Sequence, residues 1–392
     1  MTPFDFQLPT RILFGPGKIA SLGEVAGKLL TGIQTKDVQG NGRVLVVSDP
    51  GVVKAGHAER GIDALRQIGL IPELFDQVEE NPTTTHVTAG LDVARDFQPE
   101  LIIGLGGGSS MDCAKGINFL FSCGGQMQDY WGVNKATGPL LPMIAVPTTA
   151  GTGSETQSFA LISDANTHAK MACGDHRAAF RAVLLDPELT LTQPAQVTAL
   201  TGFDAMAHAV ETYVTNRQNP ISRCFSREAW RHLAANYLPV LHEPEKIETR
   251  ANMQWGACLA GLAIENSMLG AAHALANPLT ANFGIAHGQA VAFMLPAVVR
   301  YNGHHIDGQY HELLSVTPQL VNSRTTATDA LADFLTMARE EAGLAGTLES
   351  CRIPQKQLPE LAADAAQQWT GTFNPVPLSV DNFQLLYEQV YC

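Results

Sequence analysis

The sequence lacks the features that mark membrane-spanning and disulfide-rich proteins. Its apolar runs, such as residues 101–105 and 140–146, are far shorter than the roughly 20 residues that cross a bilayer. The first residues also lack the basic stretch of a secretory signal. The seven cysteines are scattered and never spaced as Cys-x-x-Cys, which argues against a disulfide framework and a thiolate zinc site. We therefore expect a cytoplasmic protein that does not engage a membrane.

Charged residues are also scarce, and the basic ones are the minority. Only 16% of the 392 residues are charged, with 38 acidic against 25 basic side chains and a formal net charge of −13. A negative surface repels nucleic acid phosphates and anionic lipid headgroups. The charge balance therefore predicts a small-molecule partner, with neither nucleic acid nor membrane, and still permits an anion held locally by backbone amides.

The distribution of apolar residues predicts two domains of different class. Apolar runs at residues 43–49 and 99–105 alternate with helical stretches, which is typical of a parallel sheet covered on both faces. Strand patterns nearly vanish after residue 190, and long Ala/Leu-rich stretches of helical spacing follow at residues 204–214, 250–264 and 325–342. We expect an α/β nucleotide-binding domain at residues 1–190 and an all-helical domain at residues 191–392, with a cleft at their junction.

A run of glycines follows one of the predicted strands. The apolar residues 101–105 lead directly into Gly106, Gly107 and Gly108, and a helix is predicted to start near Ser109. Glycines let the backbone approach an anion closely, and the free amides of a helix N-terminus attract it. The loop lacks the Gly-Lys-Ser/Thr ending of a Walker motif, and Ser109 replaces the third glycine of the strict dinucleotide motif. The loop fits a diphosphate, and a tight turn without a ligand is the alternative.

Polar residues end two other predicted strands. A strand-end acid such as Asp49 accepts hydrogen bonds from ribose hydroxyls and repels a 2′-phosphate, which favours NAD over NADP. Asp49 precedes the glycines in the sequence, however, so the alternative that Asp49 serves only as a turn residue is equally good. The hydroxyls of Thr148, Thr149 and Thr152 suit phosphate, ribose or carboxamide groups. Their alternative role is a helix N-cap with Glu155 in the first turn.

The second half contains four residues with the chemistry of a metal site. Asp204 and His208 stand four apart, so on a helix their side chains share one face. The alternative is a capping box formed by Thr201 and Asp204, with His208 as an ordinary helix residue. The same helical face could also hold a metal ion.

His273 and His287 complete the candidate ligand set only if the chain reverses between them. Their separation of fourteen residues corresponds to about 21 Å on an unbroken helix. We expect Pro278 and Gly284 to break the helix. One carboxylate and three imidazoles would then leave an open position on a divalent ion such as Fe²⁺ or Zn²⁺. Two unrelated histidines are the alternative.

In combination, these motifs resemble the iron-containing (group III) alcohol dehydrogenases. The similarity runs in order from about residue 5 to residue 300 and rests on residues 9–15, 81–83, 106–112 and 147–155, the Asp204/His208 pair and the His273-to-His287 spacing. The resemblance implies an NAD(P)-binding α/β domain and an all-α metal-binding domain, as in dehydroquinate synthase. It implies Asp204, His208, His273 and His287 as ligands of Fe²⁺, with Zn²⁺ as the other candidate.

The same resemblance implies the cofactor site. The implied cofactor is NAD, with NADP second, and the matching residues are Asp49, Gly106, Gly107, Gly108, Ser109, Asp112, Thr148, Thr149, Thr152 and Lys170. Within this set, Lys170 matches a lysine near the ribose, and Asp49 matches an acid that precedes the glycines in this family. His273 is also expected to be catalytic. Asn277 departs from the family pattern, which often has a proton-relaying histidine at this position, and Asn cannot take up a proton near neutral pH.

The expected activity is reversible hydride transfer between a small alcohol and nicotinamide, with the metal activating the substrate oxygen. The partners would be a small alcohol or aldehyde and further copies of the chain, in a homodimer or higher homo-oligomer. One alternative is a metal- and NAD-dependent lyase or cyclase resembling dehydroquinate synthase, although the metal-bearing segments are poor in the Lys and Arg it would need. Another is a non-catalytic nucleotide-binding protein on the same fold.

Overall fold

The chain folds into two compact units in this computed structural model, which describes residues 3–33, 42–167, 169–321 and 324–392. We call Gln7–Thr149 with Ser154–Gln193 the sheet unit. The helical unit comprises Met1–Phe6, Ala150–Gly153 and Pro194–Cys392.

Parallel strands form the centre of the sheet unit. The strands are β1 (Arg11–Phe14), β2 (Arg43–Val47), β3 (Ile71–Phe75), β4 (Leu101–Gly106), β5 (Gly132–Val133), β6 (Met143–Pro147), β7 (Phe159–Ser163), β8 (Lys170–Gly174) and β9 (Ala182–Leu185). Within the described residues, six of them form one sheet in the order β1-β9-β6-β4-β2-β3, and every neighbouring pair is parallel. The remaining three form a small sheet in which β7 and β8 are antiparallel. The predicted parallel sheet is confirmed, whereas the small sheet was not anticipated.

Helices cover the main sheet because its inner strands are apolar on both faces. The helices of this unit are α1 (Leu22–Ile33), α2 (Pro50–Lys54), α3 (His57–Arg66), α4 (Thr84–Phe97) and α5 (Gly108–Cys123). Apolar residues of α1 and α3 join alternate residues of β2 and β4, such as Val44 and Ile103, in one buried cluster. All residues of β4 and β6 are buried. Such burial explains why these strands read as continuous apolar runs rather than as an alternating pattern.

The helical unit contains no strand among its described residues. Its helices are α6 (Ala195–Val214), α7 (Pro220–His242), α8 (Ile247–Glu265), α9 (Ala271–Phe283), α10 (His287–Leu314), α11 (Ala327–Glu341), α12 (Leu358–Ala366) and α13 (Val380–Gln389). Two of the helical stretches expected from the sequence lie within α6 and α8, and the third, residues 325–342, contains α11, so the all-helical second half is confirmed. None of the helices in the described ranges has the length and apolar character to cross a membrane.

Candidate functional site

Helix α6 presents Asp204 and His208 on one buried face. The helix begins at Ala195, directly after Pro194, so Thr201 lies inside it and donates its hydroxyl to the backbone oxygen of Val197 over 2.8 Å. The alternative of a capping box starting at Thr201 is therefore wrong. The Nε2 atom of His208 lies 3.5 Å from Oδ1 of Asp204.

A sharp reversal between α9 and α10 brings in the other two histidines. Gly284 adopts a left-handed conformation with φ of 64° at the end of α9, and α10 starts at His287. The predicted chain reversal is confirmed, but the expectation that Pro278 breaks the helix is wrong. Pro278 lies inside α9, and the helix continues to Phe283 although a proline cannot donate the helical hydrogen bond.

The three imidazoles converge on one carboxylate oxygen. The distances from Oδ1 of Asp204 are 3.5 Å to Nε2 of His208, 3.3 Å to Nε2 of His273 and 3.8 Å to Nε2 of His287. Two ligand atoms that are each about 2.1 Å from a tetrahedral ion lie about 3.4 Å apart. The alternative of unrelated histidines is therefore wrong, and the three distances from Asp204 are close to the edge of a tetrahedral site. The ligand atoms of Asp204, His208 and His273 also lie within 4.8 Å of one another, whereas His287 is outside that group.

Two of the polar atoms at this point of convergence are buried and have no hydrogen-bond partner within the described part of the chain. Among the described residues, neither Oδ1 of Asp204 nor Nε2 of His273 has hydrogen-bonding geometry with any other group. Buried polar atoms are nearly always satisfied in folded proteins, so orphaned atoms that point at one another indicate a ligand. A carboxylate with imidazole nitrogens is a donor set that suits Fe²⁺ and Zn²⁺. The residues present fit a divalent metal ion.

Electrostatics within the cluster also favour a cation. Burial alone would raise the pKa of Asp204, but the surrounding imidazoles hold that pKa well below its usual range, so the carboxyl is ionised. Burial lowers the pKa of His208 and favours its neutral form. Burial has the same effect on His273, but the neighbouring carboxylates of Glu211 and Asp204 outweigh it and raise the pKa of His273 to about 9. A metal ion would replace the proton that these carboxylates attract.

Glu211 is also part of this cluster, although no motif of the sequence pointed to it. One oxygen of its carboxylate, Oε2, lies 2.5 Å from Nδ1 of His273, and the residue is 4% exposed. Glu211 follows His208 by three residues on α6, so it lies on the same helical face as both candidate ligands of that helix. That spacing was a usable signal in the sequence.

Asn277 lies one helical turn after His273 on α9 and is half-buried. Its Nδ2 atom donates a hydrogen bond to Oε1 of Gln368 over 3.0 Å. This bond leaves the carbonyl oxygen of the Asn277 side chain available as an acceptor. The position one helical turn after His273 is therefore occupied by a neutral amide that is hydrogen-bonded to a second amide.

The glycine loop joins the end of β4 to the start of α5. Gly106 has a φ of 156°, and a Cβ atom there would lie 2.4 Å from the hydroxyl oxygen of Ser110. Gly107 occupies the N-cap position, and no side chain in the described part of the chain caps the helix there. Gly108 begins the helix, and Ser109 is half-buried beside it. The first amides of α5 thus lie at a helix N-terminus, which is the kind of position that favours an anion.

Asp49 lies next to this loop because β2 and β4 are neighbours in the sheet. Its carboxylate accepts hydrogen bonds from the backbone nitrogen of Val52 over 3.0 Å and from the Ser110 hydroxyl over 3.2 Å. Asp49 is the N-cap of α2, so the turn role is present in the structure. Its contact with Ser110 also brings an acidic group to the edge of the glycine loop.

Of the three threonines, the structure brings two to the glycine loop. Thr148 donates its backbone nitrogen to the carbonyl of Gly106 over 3.0 Å, and a Cβ atom at Gly107 would lie 3.5 Å from the Thr149 methyl group. Thr152 belongs to the segment Ala150–Gly153 of the helical unit. The neighbouring Gly153 has a φ of 65°, and a Cβ atom there would lie 2.5 Å from Cα of Gly261 in α8. This segment therefore packs closely on the helical unit.

Asp112 sits behind the loop in a buried network. Its Oδ1 atom accepts a hydrogen bond from the Ser154 hydroxyl over 2.5 Å and lies 3.5 Å from Nζ of Lys115. Burial raises the pKa of Asp112, whereas Lys115 and, more weakly, Lys170 at the start of β8 oppose that rise. Lys115 is completely buried. The i, i+3 spacing of Asp112 and Lys115 was visible in the sequence, but their pairing was not anticipated.

Profiles of one protein family match both parts of the chain. The profile of the iron-containing alcohol dehydrogenases matches residues 9–187. The C-terminal profile of the Fe-containing alcohol dehydrogenase family matches residues 198–391. Together the two matches cover nearly the whole chain.

Individual proteins give the same result. The 1,3-propanediol dehydrogenase of Klebsiella pneumoniae is 30% identical over 392 residues, which cover 99% of each chain. The crystal structure of a 1,3-propanediol oxidoreductase aligns with a TM-score of 0.93 at 30% identity over 100% of both chains. The structure of sulfoacetaldehyde reductase from Bifidobacterium kashiwanohense in complex with NAD⁺ aligns with a TM-score of 0.85 at 25% identity, over 100% of this chain and 99% of that one. The chain belongs to the iron-containing alcohol dehydrogenase family and is an oxidoreductase that acts on alcohols.

Proposed function

We propose that this protein catalyses the reversible, NAD-linked oxidation of a small alcohol, with Asp204, His208, His273 and His287 holding a divalent iron ion. The observation that carries the proposal is the convergence of three imidazole nitrogens on one buried carboxylate oxygen at 3.3 to 3.8 Å. Zn²⁺ suits the same donors and is the second candidate.

When bound, the ion would act as a Lewis acid on the substrate oxygen and stabilise negative charge there. Asp204 is the only anion among the four proposed ligands, so a divalent ion with these ligands would carry a net charge of about +1, and the carboxylate of Glu211 lies outside this ligand set in contact with His273. The His287 side chain is 23% exposed, whereas those of His208, His273 and Asp204 are 4% to 6% exposed. Substrate would therefore enter from the side of His287.

For the cofactor, we propose that the amides of Gly106, Gly107, Gly108 and Ser109 bind the diphosphate of NAD. The support is the start of α5, where no side chain of the described residues occupies the N-cap. Asp49 would accept hydrogen bonds from the ribose and repel a 2′-phosphate. The phosphate or nicotinamide groups would be contacted by three threonines, Thr148, Thr149 and Thr152. Lys170 would contact a ribose. Asp112 would support the glycine loop through its buried hydrogen bonds.

The proposed division of labour follows the domains expected from the sequence. Residues 1–190 would bind the dinucleotide, and residues 191–392 would bind the metal. A small neutral alcohol is the proposed substrate, and 1,3-propanediol is the first candidate because two of the similar proteins act on it. Asn277 would accept a hydrogen bond from a substrate hydroxyl but would not relay a proton.

An NAD-linked substrate screen combined with elemental analysis tests the proposal. Protein purified without oxygen should contain about one iron or zinc ion per chain and should reduce NAD with 1,3-propanediol or simple primary alcohols. The variant His208→Ala should lose both the ion and turnover. His242→Ala removes an exposed histidine at the end of α7 and should retain both. Full turnover by metal-free protein would contradict the proposal.

We also propose a homodimer in the cytoplasm. All seven cysteines, which lie in described segments, are free thiols, as is usual in a reducing compartment. Phe4, Phe6 and Leu8 are exposed near the start of the sheet-edge strand β1, and apolar residues of this kind are often covered by a second subunit. Sedimentation of the purified protein at micromolar concentration would test the subunit number.

A further inference from the structure

The carboxylate of Glu211 bridges two helices of the metal site. Its Oε2 atom lies 2.5 Å from Nδ1 of His273 on α9. Its Oε1 atom accepts a hydrogen bond from the backbone nitrogen of Ala272 over 2.7 Å. Both oxygens are therefore used, and both contacts go to the segment that carries one of the proposed ligands.

The start of α9 depends on groups from outside the helix. Gly270 occupies the N-cap position and has no side chain to offer, so oxygens of Glu211 and Asn374 accept from the first amides instead. A Cβ atom at Gly270 would lie 3.1 Å from Oε1 of Glu211 and 3.2 Å from Oδ1 of Asn374. Because Gly270 has no Cβ atom, the carboxylate of Glu211 can lie close to the start of α9. A carboxylate at a helix N-terminus is also favoured by the helix dipole.

The contact to Nδ1 decides which nitrogen of His273 faces the cluster. A carboxylate can only accept, so Nδ1 carries the proton and donates it to Glu211. When the ring is neutral, as metal binding requires, its lone pair is on Nε2, which lies 3.3 Å from Oδ1 of Asp204. Such carboxylate contacts fix the orientation of metal-binding histidines and make the ring a better ligand.

We propose that Glu211 is a positioning residue that holds His273 in the ring orientation and tautomer required for metal binding, and so sets the affinity of the site for divalent ions. The inference rests on the metal site proposed above and assigns a role to a residue outside that ligand set. Removing a carboxylate of this kind typically weakens metal binding 10- to 100-fold.

The test uses Co²⁺ alone as the probe, because its visible absorption reports both the amount bound and the ligand geometry. Affinity is measured by competition with a chelator in the full-length protein. In Glu211→Gln, the single amide oxygen can accept from only one of the two donors, which are Nδ1 of His273 and the backbone nitrogen of Ala272. The amide NH₂ group then faces the second donor and repels it. We expect about 10- to 100-fold weaker binding and an altered spectrum at saturation.

A second variant allows the test to be carried out even if Glu211→Gln does not fold. Gly270→Ala adds one methyl group against the Glu211 carboxylate and leaves every polar group in place. It should also weaken Co²⁺ binding and change the spectrum, and it decides the matter if Glu211→Gln does not fold. The control Glu312→Gln removes a more exposed carboxylate that pairs with Arg223 in the same unit, and it should bind Co²⁺ as the wild type does.

The possible results separate this inference from the proposed function. If the wild type itself binds no Co²⁺, the metal site fails and the role of Glu211 fails with it. If the wild type binds the ion and both variants match its affinity, the metal site stands and the role of Glu211 is wrong. Weaker binding with an unchanged spectrum at saturation would indicate a merely structural residue and would also overturn the inference.

Discussion

The ammonium group of Lys115 donates to the backbone oxygen of Ser154 over 2.9 Å, which ties α5 to the segment that follows β6. The same nitrogen donates to the carbonyl of Phe159 over 2.7 Å and lies 3.5 Å from Asp112. Since α5 begins in the glycine loop, this buried cation links the loop to the chain that returns after Thr149.

The first prediction follows from this network. Lys115→Met keeps a similar volume but removes the cation beside the buried carboxylate of Asp112 and its hydrogen bonds to the carbonyls of Ser154 and Phe159. Removing one member of a buried ion pair costs about 3 to 5 kcal/mol, and we expect a loss of that size in the free energy of unfolding. Urea denaturation measures it. Lys28→Met, at an exposed site on α1, should change stability little, and an equal effect of both variants would contradict the role of the network.

The second prediction concerns the pH dependence of stability. Burial raises the pKa of Glu155 from an ordinary value near 4.5 to about 7, so the folded chain holds this proton more tightly than the unfolded chain. The stabilisation is complete below about pH 4.5 and is lost as the pH rises through about 7. Glu155→Gln stays neutral at every pH. Relative to this variant, the wild type should lose about 2 to 3 kcal/mol of unfolding free energy between roughly pH 5 and pH 8.

Paired urea titrations at several pH values measure this difference. Glu59→Gln, at an exposed position of α3, is the control and should follow the wild-type pH dependence. A constant difference between the wild type and Glu155→Gln across the range would show that Glu155 ionises normally in the folded protein.

Local patterns in the sequence predicted the parts of the site that neighbouring residues determine. The strand, glycine run and helix start around Gly106 are contiguous, and Asp204 and His208 share a helical face through their spacing alone. The reversal between His273 and His287 was predictable because one ion cannot bridge an unbroken helix of that length. The fold class followed from the change from buried strands to amphipathic helices near residue 190.

The missed features depend on contacts between distant positions. The spacing of Glu211 from His208 is visible in the sequence, but its partner His273 is 62 positions away. Lys115 contacts Ser154 and Phe159 at 39 and 44 positions, so local patterns do not predict any of these pairings. The expected break at Pro278 was wrong because α9 is buried on most of its surface, and burial maintains the helix despite the missing hydrogen bond. Tertiary packing therefore determines that α9 continues through Pro278, which local sequence preference does not predict.

The third prediction tests the proposed cofactor preference. Asp49→Asn can still cap α2, because Asn is a good N-cap residue, but it no longer repels a 2′-phosphate. We expect the ratio of kcat/KM for NAD to that for NADP to fall about tenfold or more, which corresponds to about 1.4 kcal/mol. Asp63→Asn on α3 serves as the charge-matched control. An unchanged ratio in Asp49→Asn would leave Asp49 with its capping role alone.

The fourth prediction concerns the side-chain amide of Asn277, which lies one helical turn after His273. Asn277→His introduces an imidazole one turn from His273, with an ordinary pKa of about 6.5. If a proton leaves the substrate through this position, the variant should gain a new ionisation near neutral pH in its kcat/KM profile. The wild-type profile should lack that step, because Asn277 does not titrate. Alcohol oxidation measured from about pH 5 to pH 9 checks this expectation.

The control variant Asn282→His places a histidine at an exposed position of the same helix, where Asn282 contacts Asp364, and its profile should match the wild type. Identical profiles for all three proteins would mean that protons reach solvent without passing residue 277.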